Sequence, residues 1–211
     1  MVASADGAVS LHGRSGGLSG PADRMVFTVL RSLADVILVG AGTVRAERYR
    51  PVQAGQVWAE LRPPGQPVPP IAVVTGRLNL DPDCPLLTAA APGAQTIVIT
   101  TAAAPPERRA EVARHARVIE AGHGRVDLAA AVTALHGLGY ARILAEGGPN
   151  LLGHLAEAGL VDELCLTTSP VLAAGPAGRI ITASSACVAP LSLAHVLTDD
   201  GYLFSRYVRE L

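Results

Sequence analysis

Residues 142–155, with the sequence RILAEGGPNLLGHL, carry the pattern that decides the fold. A short apolar run, 143–145, leads through Glu146 and two glycines into a helical pattern that begins at Pro149, where a missing N–H costs no hydrogen bond. This order predicts a strand, a glycine turn and a helix N-terminus that offers its N–H groups to an anion. An ordinary strand-to-helix corner fits the same residues, so both interpretations stay open on this stretch alone.

Apolar runs and helical patterns alternate along the rest of the chain. The predicted strands are 36–39, 71–75, 95–100, 117–120, 143–145 and 162–168, and the predicted helices are 21–33, 105–114, 126–138 and 149–160. A continuous apolar run between polar or glycine boundaries is typical of a strand buried on both faces. The alternation therefore predicts an α/β fold with a central, mostly parallel mixed sheet and helices on both faces.

Two segments have patterns of their own. Asp200-Gly201 lies between the alternating runs 193–197 and 202–208, which predicts an antiparallel hairpin at the C-terminal edge of the sheet. Residues 48–70 are rich in proline and contain Trp58, the only tryptophan, but they show no sustained period. We predict an irregular surface segment there.

Length and composition bound the function. The 211 residues suit a single domain, 1–211, in which residues 1–4 have the pattern of a first strand truncated at its start. A hydrophobic fraction of 49% supports a buried core, whereas a formal charge of −1 and an aromatic fraction of 3% do not suit a nucleic-acid binder. All 17 basic residues are arginine, which excludes a P-loop lysine or a Schiff-base lysine within these residues.

Cysteine, histidine and N-terminal patterns favour a cytoplasmic protein without a metal. Cys84, Cys165 and Cys187 lie far apart and form no zinc-binding pair, so we predict buried thiols. The six histidines show neither metal-ligand spacing nor a nucleophile motif. The residues contain no signal-peptide pattern and no apolar run of membrane-spanning length, so we expect no membrane partner.

Polar side chains near three predicted elements suit a ligand. Gly42 and Thr43 follow the strand 36–39, and the Thr43 hydroxyl either caps the next helix or hydrogen-bonds a ligand. Arg31 lies on the first helix, either in solvent or at a ligand phosphate. Arg77 follows the strand 71–75, where a guanidinium can bind a phosphate through two hydrogen bonds.

Five motifs in order resemble the reductase domain of bacterial riboflavin biosynthesis. They are Ser4-Ala5-Asp6-Gly7, Ser19-Gly20-Pro21, Asp35 to Val44 (DVILVGAGTV), Glu146-Gly147-Gly148-Pro149 and Val161-Asp162-Glu163-Leu164. The resemblance covers nearly the whole chain and implies a dihydrofolate-reductase-like fold, usually a homodimer, with NADPH as hydride donor. It implies a phosphorylated pyrimidine substrate, 5-amino-6-(5-phosphoribosylamino)uracil, whose ribose is reduced to the ribityl form. The deaminase motifs that many relatives carry are missing from these residues, so the chain resembles a stand-alone reductase.

The resemblance also implies roles for individual residues. Cofactor-binding residues are expected at Gly42, Thr43, Glu47, Thr75, Gly147, Gly148, Pro149, Asn150 and Leu151. Our own addition is Arg77, as a partner for the extra phosphate of NADPH. Substrate-binding residues are expected at Ser15, Arg31 and Glu146. Catalytic roles are expected for Glu146, which binds the pyrimidine or sugar and handles the accompanying proton, and for Asp6, which is either a second polar anchor or a turn cap.

Two alternatives to this function stay open. A reductase of the same fold can act on a related pterin such as dihydrofolate. A paralogue can also bind the nucleotide without reducing anything. Oxidation of NADPH with a pyrimidine, with a pterin or with neither separates the three hypotheses.

Overall fold

A computed structural model describes residues 1–184, 186 and 188–210 and divides the chain into two compact units. The first, Thr28–Glu146, is called the sheet unit below. The second combines Met1–Phe27 with Gly147–Leu211 and is called the hairpin unit. Helix α1, Pro21–Leu33, contains the first boundary between them. The expectation of a single domain stays a prediction.

The sheet unit is built on five parallel strands in the order β5-β4-β3-β2-β6. The strands are β2 (Val36–Gly40), β3 (Ile71–Val74), β4 (Ile97–Thr100), β5 (Arg117–Glu120) and β6 (Ile143–Ala145). The helices that connect them are α2 (Ala41–Glu47), α3 (Gln56–Leu61), α4 (Pro85–Thr88), α5 (Pro106–Ala113) and α6 (Leu128–Gly137). Each crossover from one parallel strand to the next contains at least one helix, as parallel pairing requires.

The internal strand β2 shows why this sheet forms. Val36, Ile37, Leu38 and Val39 are each at most 1% exposed. Because successive side chains of a strand point to opposite faces, both faces of β2 are covered. Ile37 lies opposite Ile71 of β3 and Leu144 of β6. The apolar run predicted this strand correctly. A strand that is buried on both faces carries apolar side chains at successive positions.

The hairpin unit holds a four-stranded sheet in the order β1-β7-β9-β8. Its elements are β1 (Val2–Ser4), α7 (Pro149–Glu157), β7 (Glu163–Ser169), β8 (Leu191–Asp199) and β9 (Tyr202–Arg209). Strand β1 is parallel to β7, whereas β7, β9 and β8 pair antiparallel. Asp200 and Gly201 have φ of 48° and 77°, the two positive values that a two-residue hairpin turn of type I′ requires. The predicted C-terminal hairpin is confirmed.

A short strap, residues 182–184, lies along helix α7. The N–H of Thr182 donates to the Pro149 carbonyl at 3.0 Å. The N–H and hydroxyl of Ser184 donate to Glu157 Oε1 at 3.0 and 2.8 Å. Between these two points, the strap passes so close to Gly153 that a Cβ there would overlap the Thr182 carbonyl oxygen. The contacted helix positions are spaced by four residues, so the strap follows one face of α7.

The predicted fold class is confirmed, but one mixed sheet with the hairpin at its edge is not what the structure has. The parallel strands and the C-terminal hairpin form two hydrogen-bonded sheets, one in each unit.

Half-buried Cys84 and Cys165 are more accessible than the buried thiols we predicted, and Cys187 lies outside the described residues. The burial of the cysteines depends on tertiary packing, which their spacing in the sequence does not report.

The irregular surface segment predicted for 48–70 is wrong in part. Helix α3 lies within it, and Trp58 is 8% exposed. The guanidinium of Arg62, with its Cζ 4.4 Å from the Trp58 ring centroid, donates to the carbonyls of Ser32 and Ala34 at 3.1 and 2.6 Å. Arg62 thus caps the C-terminal end of helix α1. This anchoring is a long-range contact, which a local hydrophobic period does not record.

Candidate active site

The carboxyl ends of three neighbouring strands bring predicted site residues to one edge of the sheet unit. Strands β3, β2 and β6 are adjacent and parallel, so they end at the same edge. Thr75 follows β3, Gly42 and Thr43 lie in the helix that follows β2, and Glu146 follows β6. Open α/β sheets bind their ligands at this edge.

Glu146 is held there by its backbone and by a guanidinium. Its N–H donates to the Leu38 carbonyl at 2.9 Å, which extends the pairing of β6 with β2 by one residue. Arg31 Nε donates to Oε1 and Arg31 Nη2 donates to Oε2, both at 2.7 Å. The Glu146 side chain is 2% exposed, whereas that of Arg31 is 23% exposed. This two-bond pairing is the strongest form of an arginine–carboxylate contact.

Tyr49 completes this cluster, and the sequence analysis missed it. Its hydroxyl donates to Glu146 Oε2 at 2.6 Å, and its ring centroid lies 5.6 Å from Arg31 Cζ. The carboxylate of Glu146 therefore accepts three hydrogen bonds from two side chains. The only signal in the sequence was a tyrosine among arginines directly after helix α2, which is too weak to select it.

The electrostatics of the cluster keep both donors protonated. Burial lowers the pKa of Arg31, but the hydrogen bonds and negative charge of Glu146 outweigh this effect and raise it above its ordinary value. Burial raises the pKa of the Tyr49 hydroxyl, and the charge of Glu146 and the hydrogen bond to it raise it further. Arg31 and Tyr49 therefore donate to Glu146 throughout the physiological pH range.

A second turn at the same edge follows β3. Thr75 is 6% exposed, and its N–H donates to the Ile99 carbonyl at 2.9 Å. Arg77, two residues on, is exposed. Two other arginines secure the chain beyond it: Arg45 donates to the Asn79 carbonyl at 2.7 Å, and Arg108 donates to the Leu80 carbonyl at 2.6 Å. The turn is thereby fixed while Arg77 faces the solvent.

Helix α2 corrects one interpretation of Thr43. The helix begins at Ala41, its N-cap is Gly40, and no side chain caps it among the described residues. Thr43 lies inside the first turn, so the cap that we offered as one interpretation is wrong. Strand β2 runs straight into helix α2 without an intervening turn. Gly42 has open space around it, and Glu47 is the last residue of the helix.

The glycine turn ahead of α7 has the predicted local structure in the hairpin unit. Gly147 is buried with a φ of 85°, a conformation that favours glycine, and its peptide bond to Gly148 is cis. Gly148 is the N-cap, Pro149 is the first helical residue, and no side chain caps this end among the described residues. Leu151 is 7% exposed, whereas Asn150 is exposed. The first turn of α7 thus keeps N–H groups for an anion.

Asp6 lies in the hairpin unit and holds a loop. It accepts hydrogen bonds from the Ser4 hydroxyl at 2.5 Å and from the N–H groups of Ala173 and Ala174 at 3.0 and 2.8 Å. These donors, the Ser4 hydroxyl first, lower the pKa of Asp6 from 3.8 to about 2. The geometry is that of a cap on a distant loop, which differs from the local turn cap that was one of the two roles expected for this residue. A cavity of about 450 Å³ lies beside it, lined by Ala3, Leu166 and residues of the loop.

Replacing Asp6 by asparagine is expected to loosen the loop at Ala173 and Ala174, because an amide is a weaker acceptor than a carboxylate. Hydrogen exchange at these two amides measures the effect, and Asp162→Asn serves as the control. Since the folded pKa of Asp6 lies near 2 and below its ordinary value, wild-type protection is complete above about pH 4 and is lost as the pH falls through 2. Identical exchange in Asp6→Asn would contradict this role.

The other predicted positions and two absences complete the site. Ser15 is half-buried in the loop before α1, in the hairpin unit. Within residues 1–184, 186 and 188–210, no group of three or more His, Cys, Asp or Glu side chains is arranged to hold a metal ion. Across the same part of the chain, no helix is long and apolar enough to cross a membrane.

The profile of one protein family, the RibD C-terminal domain, matches residues 1–203. The chain belongs to this family. Its resemblance to the riboflavin-pathway reductase domain is therefore confirmed.

Relatives of this RibD C-terminal domain protein agree with its fold. A Methanothermobacter thermautotrophicus protein, named 2,5-diamino-6-ribosylamino-4(3H)-pyrimidinone 5′-phosphate reductase, is 34% identical over 83% of this chain and 78% of its own. An Archaeoglobus fulgidus protein of the same name is 33% identical over 83% of this chain and 80% of its own. A solved structure of a pyrimidine reductase-like protein from Corynebacterium diphtheriae is 27% identical, covers 100% of this chain and 90% of that chain, and has a TM-score of 0.88.

The expected site residues fall into two groups in this RibD C-terminal domain protein. The structure brings Arg31, Glu146, Thr43 and Thr75 into the sheet unit, and it pairs the first two directly. Gly147 to Leu151, together with Asp6 and Ser15, belong to the hairpin unit. The roles of all these residues in binding or catalysis stay predictions.

Proposed function

We propose that this chain is an NADPH-dependent reductase of a phosphoribosylamino-pyrimidine in riboflavin biosynthesis. The observation that carries the proposal is the Arg31–Glu146 pair, joined by two hydrogen bonds at the carboxyl edge of the parallel sheet. A guanidinium fixed by a carboxylate is held in one orientation, and this preorganisation suits the recognition of a phosphorylated substrate. The family and the names of the archaeal relatives support the same reaction.

Two substrates are worth separating. The resemblance implies 5-amino-6-(5-phosphoribosylamino)uracil, whereas the archaeal relatives are named for the 2,5-diamino-pyrimidinone with the same phosphoribosyl group. These compounds differ in the pyrimidine ring, where one has an oxygen and the other an amino group. The choice between them therefore depends on hydrogen bonds to the base, since the ribosyl phosphate is common to both.

Each unit, taken by itself, has a feature that suits NADPH. In the hairpin unit, the first turn of α7 has no side-chain cap among the described residues, so its N–H groups suit a pyrophosphate. Exposed Arg77, on a turn secured by two other arginines, suits the additional phosphate. When bound, NADPH supplies the hydride that reduces the opened ribose to the ribityl form.

Substrate binding and orientation are carried out by side chains of this protein. Arg31 binds an anionic or polar group of the substrate. Glu146, whose side chain is 2% exposed, holds Arg31 in place and does not contact the substrate itself. Because the Glu146 carboxylate already accepts three hydrogen bonds, we assign it orientation and charge rather than proton transfer as its main contribution. Proximity and electrostatics are the parts of catalysis that a protein provides around a hydride donor.

Loss of NADPH absorbance in the presence of each substrate tests the function. We expect oxidation with the uracil or the diamino-pyrimidinone and none with dihydrofolate. Oxidation with dihydrofolate alone would replace the proposal by pterin reduction. Binding of NADPH without oxidation by any of the three would contradict a reductase and support a nucleotide-binding paralogue.

Arg77→Gln is expected to raise the KM for NADPH by about tenfold, the loss of one hydrogen-bonded ion contact, with little change for NADH. The reason is that only NADPH carries the extra phosphate. Arg117→Ala is the control. Arg117 is also exposed, but it is the first residue of strand β5 and so lies at the amino ends of the parallel strands, away from Arg77. An equal effect of Arg77→Gln on both cofactors would show that Arg77 does not read this phosphate.

We also propose that the protein is a homodimer. Apolar side chains of the C-terminal hairpin support it: Leu193, Val196 and Leu203 are 54%, 43% and 44% exposed, and the strand register places all three on one face. A contiguous exposed apolar surface is typical of a protein–protein contact. Light scattering after gel filtration gives the oligomeric state directly, and a monomer at micromolar concentration would contradict the proposal.

A further inference from the structure

The end of helix α2 places the Tyr49 hydroxyl beside the Glu146 carboxylate. Arg48 adopts a left-handed conformation with φ 53° and ψ 54°, and its N–H donates to the Val44 carbonyl. The N–H of Tyr49 donates to the same carbonyl at 3.0 Å. This helix ending turns the chain so that the Tyr49 ring packs against the apolar core of the sheet unit. The phenol oxygen then lies 2.6 Å from Glu146 Oε2.

Tyr49 meets both members of the ion pair. Its hydroxyl donates to the same carboxylate oxygen that accepts from Arg31 Nη2 at 2.7 Å. Its ring lies 5.6 Å from Arg31 Cζ, within the distance over which an aromatic face attracts a cation. One side chain, anchored in the core, thus constrains the carboxylate through a hydrogen bond and the guanidinium through its ring.

We propose that Tyr49 is a positioning residue of the reductase, which fixes Glu146 and Arg31 in the orientation that receives the phosphoribosylamino-pyrimidine. The inference rests on the proposed function, since Arg31 is the group that meets this substrate and Glu146 holds Arg31 in place. Arginine has several rotatable bonds, and an unfixed guanidinium loses this freedom when the substrate binds. Tyr49 removes that cost in advance, so its contribution is to substrate affinity.

Tyr49 acts as a permanent donor rather than as an acid. Burial and the adjacent carboxylate raise the pKa of its hydroxyl, so the proton stays on the phenol oxygen at neutral pH. Because its proton is harder to remove, the Tyr49 hydroxyl is a poor acid for the reaction. It remains a hydrogen-bond donor to Glu146. The substitution that tests the role is therefore Tyr49→Phe, which keeps the ring and removes only the hydroxyl.

The experiment compares Tyr49→Phe with Tyr140→Phe, which removes a hydroxyl elsewhere in the sheet unit. For Tyr49→Phe, we expect the KM for the pyrimidine to rise about tenfold, with kcat within about threefold and the KM for NADPH unchanged. Tyr140→Phe leaves all three constants unchanged. A lower melting temperature of Tyr49→Phe with an unchanged pyrimidine KM would overturn the proposal, since Tyr49 would then be structural only.

Binding of ribose 5-phosphate separates this inference from the proposed function. Calorimetric titration without NADPH measures affinity for the phosphorylated sugar and needs no turnover. We expect the dissociation constant to rise about tenfold in Tyr49→Phe and to stay unchanged in Tyr140→Phe. Equal affinity of wild type and Tyr49→Phe would overturn the role of Tyr49 even if the enzyme is active. If Tyr49→Phe binds ribose 5-phosphate more weakly than wild type, but wild type reduces no pyrimidine, the positioning role of Tyr49 is supported. Only the proposed reaction is then contradicted.

Discussion

Glu146→Gln is expected to lower kcat about a hundredfold while the dissociation constant for NADPH stays within about twofold. A neutral amide pairs poorly with Arg31, and hydrogen bonds to charged groups contribute about 1.5–3 kcal/mol each, where about 1.4 kcal/mol is tenfold in rate. The Glu146 side chain is 2% exposed, so water does not compensate for the loss. The turn at Arg77 and the glycines before α7 keep their local structure, so cofactor binding persists.

Glu163→Gln is a matched control for this experiment. Glu163 also pairs with one arginine, Arg206, through two hydrogen bonds, but its side chain is 46% exposed. An exposed ion pair contributes little to stability, so we expect this variant to keep wild-type activity. Steady-state kinetics with titration of NADPH decides the matter. Equal loss of turnover and cofactor affinity in Glu146→Gln, or loss of neither, would exclude the assigned role.

Gly153→Ala is expected to lower the free energy of unfolding by about 1–3 kcal/mol, the usual cost of forcing extra volume into a packed site. Alanine in a helix interior normally stabilises by up to about 1 kcal/mol relative to glycine, so the expected sign is reversed. The reason is the strap 182–184, whose Thr182 carbonyl occupies the place of the new methyl group. Denaturant unfolding followed by circular dichroism measures the change.

The matched glycine in this case is Gly137. It is the last residue of helix α6, and a Cβ there meets nothing within 4 Å. Gly137→Ala should therefore be neutral or slightly stabilising. Hydrogen exchange at the Thr182 amide, which donates to Pro149, adds a local readout. If both variants unfold at the same denaturant concentration, the strap does not press on α7 in solution.

The local parts of this protein could be predicted from its sequence. The strand, glycine turn and helix around Glu146 are set by neighbouring residues, and so is the hairpin at Asp200-Gly201. Arg31 was selected as a substrate-binding residue from the resemblance, and the structure pairs it with Glu146. These successes share a cause: period, proline and glycine act within a few positions along the chain.

The contacts between distant residues could not be predicted. Tyr49 and Glu146 meet only because the end of α2 and the end of β6 share a sheet edge, and no spacing in the sequence reports that. The same is true of Arg62, whose partners lie at the end of α1. Thr43 is not the cap of helix α2, because Gly40 is both the last residue of the strand and the N-cap of the helix.

The division of the chain into a continuous unit and a discontinuous one has a consequence for its synthesis. By the time residue 146 leaves the ribosome, every strand of the five-stranded parallel sheet is present in the emerging chain. Strand β1 pairs with β7, which lies far along the chain, and this pairing cannot form until β7 has been made. Closing so long a loop carries an entropic cost that slows assembly. The first part of the hairpin unit thus completes its pairing late, and the contacts of Asp6 form only when residues 173 and 174 have been made.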